Sequence, residues 1–154
     1  VHAMKRNTIV AEIQENSDIT YRLYDYNRKG KDGCLRPLKL RQALEVLNYE
    51  SAPTDVLTHP EMDEKGVSEL CQTPFFVSNR LKITQTIERD YRSLDSYVAF
   101  MCIDGQAVIE AKDSDSPDKQ VTIQKGEAVL IPAILRNISI QPIDGECQLI
   151  EIYH

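Results

Sequence analysis

From Phe75 onward the chain is a succession of short β-leaning runs, and this pattern limits the possible folds more than any other feature. The runs are Phe76 to Asn79, Leu81 to Glu88, Ser96 to Ile103, Gln106 to Ala111, Gln120 to Ile123, Ala128 to Pro132, Ile138 to Pro142 and Gln148 to Tyr153. Between them fall Asp104-Gly105, an acidic run from Asp113 to Asp118, Lys125-Gly126 and Asp144-Gly145. Asp-Gly flanked by apolar runs signals a hairpin, because both central positions of the tight turn need positive φ. Many short antiparallel strands at even spacing specify a sandwich or barrel. A jelly roll is the expected form, since it leaves few unpaired edges.

The 154 residues suffice for one ordinary core or two small ones, and 42% hydrophobic with 27% charged residues is globular composition. No apolar run is long enough for a bilayer-spanning helix, and no secretory signal pattern is present, so no membrane partner is expected. The formal charge of −6 argues against a nucleic-acid partner, which would call for a basic face. An anionic ligand would have to be captured by local cations. The four cysteines, Cys34, Cys71, Cys102 and Cys147, form no C-x-x-C pair, and reduced thiols in the cytoplasm are the simpler reading.

The first 28 residues carry an unusual density of polar chemistry. Thr8 to Gln14 alternates as a half-buried strand, with Glu12 on the face of Val10. Asn16, Ser17 and Asp18 make a turn, and Tyr21 to Tyr26 reads as a second strand on which Arg22, Tyr24 and Tyr26 share a face. The two together predict a hairpin. Lys29 to Gly33 is a solvated loop. Leu38 to Asn48 predicts a helix with Pro37 at its first turn and one buried stripe of Leu40, Ala43, Leu44 and Leu47. From Tyr49 to Pro74 the sequence loosens into a linker containing His59, read as a solvated loop histidine. Arg136 reads as a surface cation, and His154, at a chain end, is assigned nothing.

The run Val1-His2-Ala3-Met4 followed by EIQENSDITYRLYDYNR closely resembles the type I mannose-6-phosphate isomerases (phosphomannose isomerases), which are zinc-dependent cupin enzymes. The resemblance implies that His2 is a zinc ligand, that Arg22 of the Tyr-Arg pair and Glu12 of the intervening strand are active-site residues, and that Arg28 binds substrate. It is specific over the first thirty residues and general beyond them. The family draws its other zinc ligands from a Gln-x-His pair and a glutamate upstream of this motif. A catalytic zinc needs three or four protein ligands, so the chain, which starts inside the motif without a methionine, is expected to be the C-terminal part of a longer enzyme. The missing N-terminal part then becomes its partner. The implied domains are 1–52, the end of a catalytic cupin; 53–79, a linker; and 80–154, a C-terminal cupin-like β domain. Gly126 to Pro132 looks like the second cupin motif. Ala133 to Asn137 follow where a metal-binding cupin carries histidine, so this second barrel is expected to be metal-free.

The implied reaction interconverts mannose 6-phosphate and fructose 6-phosphate by moving a proton between adjacent carbons through an enediol. The permanent guanidinium of Arg22 suits oxyanion charge that develops in the transition state. Glu12 either transfers the proton or orients Arg22. The competing reading is a standalone metal-free cupin that binds a sugar or docks without catalysis.

Overall fold

A computed structural model describes residues 4, 6–14, 16, 17, 19–50, 61–115 and 119–154. The chain divides into two compact units, Val1–Leu57 and Thr58–His154.

The second unit is all antiparallel β. Its strands are β1 (Val67–Gln72), β2 (Val77–Ile83), β3 (Ile87–Asp90), β4 (Val98–Ala111), β5 (Gln120–Gln124), β6 (Ala128–Ile131) and β7 (Asn137–Tyr153). The pairing order is β1-β2-β7-β4-β5, with β3 also on β7 and β6 also on β4. The long strands β4 and β7 organise the unit. One half of β7, Cys147 to Tyr153, pairs with β2, and the other, Asn137 to Ile140, pairs with β3. In the same way Val98 to Met101 of β4 pair with β6, and Gln106 to Glu110 with β5. The seven strands therefore form one hydrogen-bonded sheet in which β4 and β7 each serve different partners along their two halves, as in a jelly roll.

Four expected strands are in fact the halves of these two, because neither Asp104-Gly105 nor Asp144-Gly145 reverses the chain. Gly105 at φ 71°, and Asp144 and Gly145 at φ 59° and 104°, place their left-handed backbone at facing irregularities of β4 and β7. Positive φ serves a bulge as readily as a hairpin turn. Along β4 the buried residues are Val98, Phe100 and Cys102 before the irregularity and Ala107, Ile109 and Ala111 after it. An uninterrupted strand would have carried Asp104, Gln106 and Glu110 inward. The bulge shifts the alternation by one residue and keeps an apolar face inside along both halves of β4. A side chain at Gly105 would put its Cβ 2.3 Å from the Glu146 carbonyl oxygen. The core so formed includes Leu81, Ile83, Phe100, Ile109, Ile138, Ile140 and Leu149.

Strand β1 occupies residues expected to be linker, while β2 begins within the expected run Phe76 to Asn79. Asp63 closes the turn that leads into β1, its Oδ1 accepting from the Lys65 and Val67 amides at 2.9 and 2.7 Å. Loose composition concealed an edge strand, whose single neighbour asks little of its sequence.

In the first unit the expected hairpin is absent: neither Thr8 to Gln14 nor Tyr21 to Tyr26 is a strand in the described residues. Ile9 stands 97% exposed. A two-stranded ribbon is marginal without a third strand or a helix to pack on, and the alternation finds no such surface. The helix is also shorter than expected, α1 (Leu40–Glu45), and of the anticipated stripe only Ala43 is buried. A six-residue helix has few hydrogen bonds to offset its nucleation. No helix among the described residues is long and apolar enough to cross a membrane.

Candidate functional site

The described part of the first unit is built around a carboxylate. Asp25, 4% exposed, opens a tight turn in which the Arg28 amide donates to the Asp25 carbonyl at 3.0 Å. The two central residues, Tyr26 and Asn27, have φ 52° and 54°. The chain then runs out and back. Lys29 bridges Leu35, the Gly30 amide reaches the Cys34 carbonyl at 2.8 Å, and the Arg36 amide donates to the Arg28 carbonyl at 3.2 Å. Arg28 and Arg36 thus face each other across a small loop, and both guanidiniums close on Asp25. Arg28 donates to Oδ1 from Nε at 3.0 Å and Nη2 at 2.6 Å. Arg36 donates from Nε to Oδ2 at 2.6 Å and from Nη2 to Oδ1. The hydrogen bond from Arg36, followed by the bond and charge of Arg28, outweighs burial and holds the Asp25 carboxyl down at about 2.

Of the residues singled out in the sequence, Arg28 belongs to this cluster. Arg22 is half-buried and Glu12 exposed, and no hydrogen bond or ion pair joins them among the described residues. His2 and His59 lie outside the described residues. Two residues on from Arg22 in sequence, Tyr24 lies edge to face with Tyr26 at a ring-centroid distance of 4.9 Å, and the Tyr26 hydroxyl donates to the Met4 carbonyl at 3.2 Å.

The second unit holds a polar cluster in its interior. Glu151, fully buried on β7, accepts from Arg89 Nε at 2.8 Å and Nη2 at 2.7 Å, from Asn79 Nδ2 at 2.8 Å, and from the Tyr91 hydroxyl. Burial works against the Arg89 charge, but Glu151 more than restores it. Burial and the same carboxylate push the Tyr91 hydroxyl up. Every member is hydrogen-bonded, which is the condition for keeping a charge in an apolar interior. Elsewhere in the core the thiols of Cys102 and Cys147 lie 3.9 Å apart, both buried. As for a metal, no group of three His, Cys, Asp or Glu side chains gathers among the described residues.

A family profile described as "Mannose-6-phosphate isomerase, cupin domain" matches residues 67–154. The chain belongs to the mannose-6-phosphate isomerase family. The matched region opens at Val67, the first residue of β1, and runs to the last residue, so the mannose-6-phosphate isomerase cupin domain coincides with the seven-stranded unit. Mannose-6-phosphate isomerase ManA of Bacillus subtilis (strain 168) is 31% identical over 134 residues, covering 86% of this chain and 40% of its own length. The solved mannose 6-phosphate isomerase from Bacillus subtilis shares the fold at TM-score 0.66 and 22% identity, over 90% of this chain and 41% of that one. A structure described as mannose 6-phosphate isomerase (holo; zinc bound) aligns at TM-score 0.56 and 14% identity, over 77% of this chain and 28% of that one. The chain thus spans about two fifths of the length of ManA.

Two clusters of this isomerase-family chain escaped sequence reasoning. Glu151 had a usable signal: it alternates with Cys147, Leu149 and Tyr153 on the apolar face of its strand, and a carboxylate there needs a buried partner. Asp25 and Arg36 had none, because the loop that joins them has no periodicity.

Proposed function

We propose that this chain is part of an aldose-ketose isomerase that interconverts mannose 6-phosphate and fructose 6-phosphate. The observation that carries the reading is the family match over residues 67–154, joined to the Tyr21-Arg22 and His2-Ala3 motifs in the preceding unit. In this reading Arg22 faces the oxygen that gains charge as the enediol forms, and its guanidinium stays protonated throughout. Glu12 is the base that moves the proton between the two carbons, which requires it to come within hydrogen-bond reach of the substrate. Arg28 takes the phosphate end of the sugar, where a guanidinium fork matches the anion.

The described residues do not by themselves fit a zinc ion, since catalytic zinc takes three protein ligands or more and no group of three donors gathers among them. His2 would supply one donor, and the others would come from polypeptide beyond these 154 residues, in line with the two-fifths coverage of ManA. When bound, zinc supplies Lewis-acid polarisation of a sugar oxygen. The cytoplasm, where sugar phosphates and reduced thiols occur together, is the proposed location.

The test is to measure isomerase activity and zinc content on this polypeptide and on the full-length gene product. Activity with bound zinc is expected only in the longer protein. Activity in both would overturn the incomplete ligand set. Activity in neither would overturn the isomerase reading in favour of a metal-free cupin that binds sugar or docks without catalysis.

A further inference from the structure

The Asp25 cluster is electrically unbalanced. One carboxylate serves two guanidiniums, and no second acid pairs with either Arg28 or Arg36 among the described residues. Both arginines use the Nε and Nη2 edge on Asp25, which leaves each Nη1 without a bond to any described group. These guanidiniums are not sealed in: Arg28 is 60% and Arg36 32% exposed. From Asp25 to Arg36 the sequence holds four cations, Arg28, Lys29, Lys31 and Arg36, against Asp25 and Asp32, within a chain of charge −6. The excess positive charge is therefore concentrated here against the sign of the whole.

The backbone of the cluster is also held in a disfavoured form. Tyr26 and Asn27 are consecutive left-handed residues, and a tyrosine adopts that conformation only where its surroundings enforce it. The turn they make brings Arg28 back over Asp25, and the Lys29 to Leu35 bridge brings Arg36 to the same carboxylate. A single ion pair would need neither device.

We infer that Asp25 is a positioning residue that holds Arg28 and Arg36 as a paired receptor for the phosphate group of the sugar phosphate. The inference rests on the isomerase reading and adds Asp25 and Arg36 to it. A phosphate monoester carries between one and two negative charges near neutrality, enough to balance the pair. Guanidiniums present parallel N–H groups to its oxygens. The fixed carboxylate removes the rotamer freedom that two long side chains would otherwise lose on binding.

The experiment uses Arg36→Gln, Arg36→Lys, Arg28→Gln and Asp25→Asn in the full-length gene product, with folding checked by circular dichroism. The readouts are KM for mannose 6-phosphate, turnover, and inhibition by inorganic phosphate. Arg36→Gln and Arg28→Gln are expected to raise both KM and the phosphate inhibition constant about tenfold or more, with a smaller change in turnover. Arg36→Lys should recover part of the loss. Asp25→Asn should raise KM although it removes no cation, which distinguishes positioning from simple charge; should it fail to fold, the arginine variants decide. An active enzyme whose KM and phosphate inhibition are unchanged in both glutamine variants would overturn the inference while leaving the isomerase reading intact. If the full-length product has no isomerase activity, that reading falls. Calorimetry of inorganic phosphate against the 154-residue chain then decides the pair: binding lost in Arg36→Gln upholds it, and equal or absent binding in both proteins overturns it.

Discussion

Glu151 and Arg89 meet fork to fork inside the cupin domain, 62 residues apart in sequence, with both N···O distances below 3 Å. The pair ties β7 to the end of β3, and Asn79 brings β2 into the same cluster. Glu151→Leu leaves donors of Arg89, Tyr91 and Asn79 unpaired in the interior. Breaking a buried pair on one side costs about 3–5 kcal/mol, and a loss of that size is expected in urea unfolding. Combining Glu151→Leu with Arg89→Met should recover part of it, because no charge then remains inside. A fully additive double variant would show that the two residues do not act as a pair.

The Asp25 cluster has a defined pH window. The Asp25 carboxyl lies at about 2 against an ordinary 3.8. Because the folded value is depressed, the stabilisation is fully present above pH 4 and is lost as pH falls through about 2. Carbon-13 NMR titration of the Asp25 carboxyl should show a midpoint near 2, moving upward in Arg36→Gln more than in Arg28→Gln. A wild-type midpoint near 3.8 would mean that the ion pairs do not persist in solution.

Two glycines separate backbone strain from steric exclusion. Gly126, at φ 88°, has open space where a Cβ would go, whereas Gly105, at φ 71°, has the Glu146 carbonyl in the way. Gly126→Ala is expected to cost only the left-handed conformation, about 1–2 kcal/mol. Gly105→Ala should cost clearly more, because β4 and β7 would have to part at their shared bend. Equal midpoints in denaturant unfolding would contradict the bulge geometry.

The four thiols should divide two and two. Cys34 and Cys71 are exposed, while Cys102 and Cys147 are buried, and burial pushes Cys147 up to about 12 and Cys102 up as well. The thiolate is the reactive form, so iodoacetamide at pH 8 should modify Cys34 and Cys71 in the native chain and the other two only after unfolding. Rapid modification of all four would mean that the barrel opens readily.

For the proposed chemistry, Arg22→Ala in the full-length product should lower turnover about a hundredfold or more, the range for losing a donor to developing oxyanion charge. Zinc per chain, measured by elemental analysis, should stay unchanged. An equal loss of metal would make Arg22 a structural residue.

The sequence by itself determined that residues beyond Phe75 fold as an antiparallel β domain, because period-two burial is written locally into each strand and a face of Ile, Leu and Phe has only an interior to go to. It also marked several of the positions where the backbone takes positive φ, since Gly105, Gly126 and Gly145 are read from the chain directly, whereas Tyr26 and Asn27 are not. Only the tertiary structure decided what those positions do. Whether Asp-Gly turns the chain or bulges it depends on which strand lies alongside, and β4 and β7 lie alongside each other through the bend. The same reason hid the partners in both charged clusters. Asp25 meets Arg36, and Glu151 meets Arg89, only after the chain has folded back, and no local periodicity records a partner that distant. Where the segment before Asp25 has no neighbouring strand among the described residues, the alternation at Thr8 to Gln14 is present in sequence and unused in space, because a strand exists only through the hydrogen bonds of another.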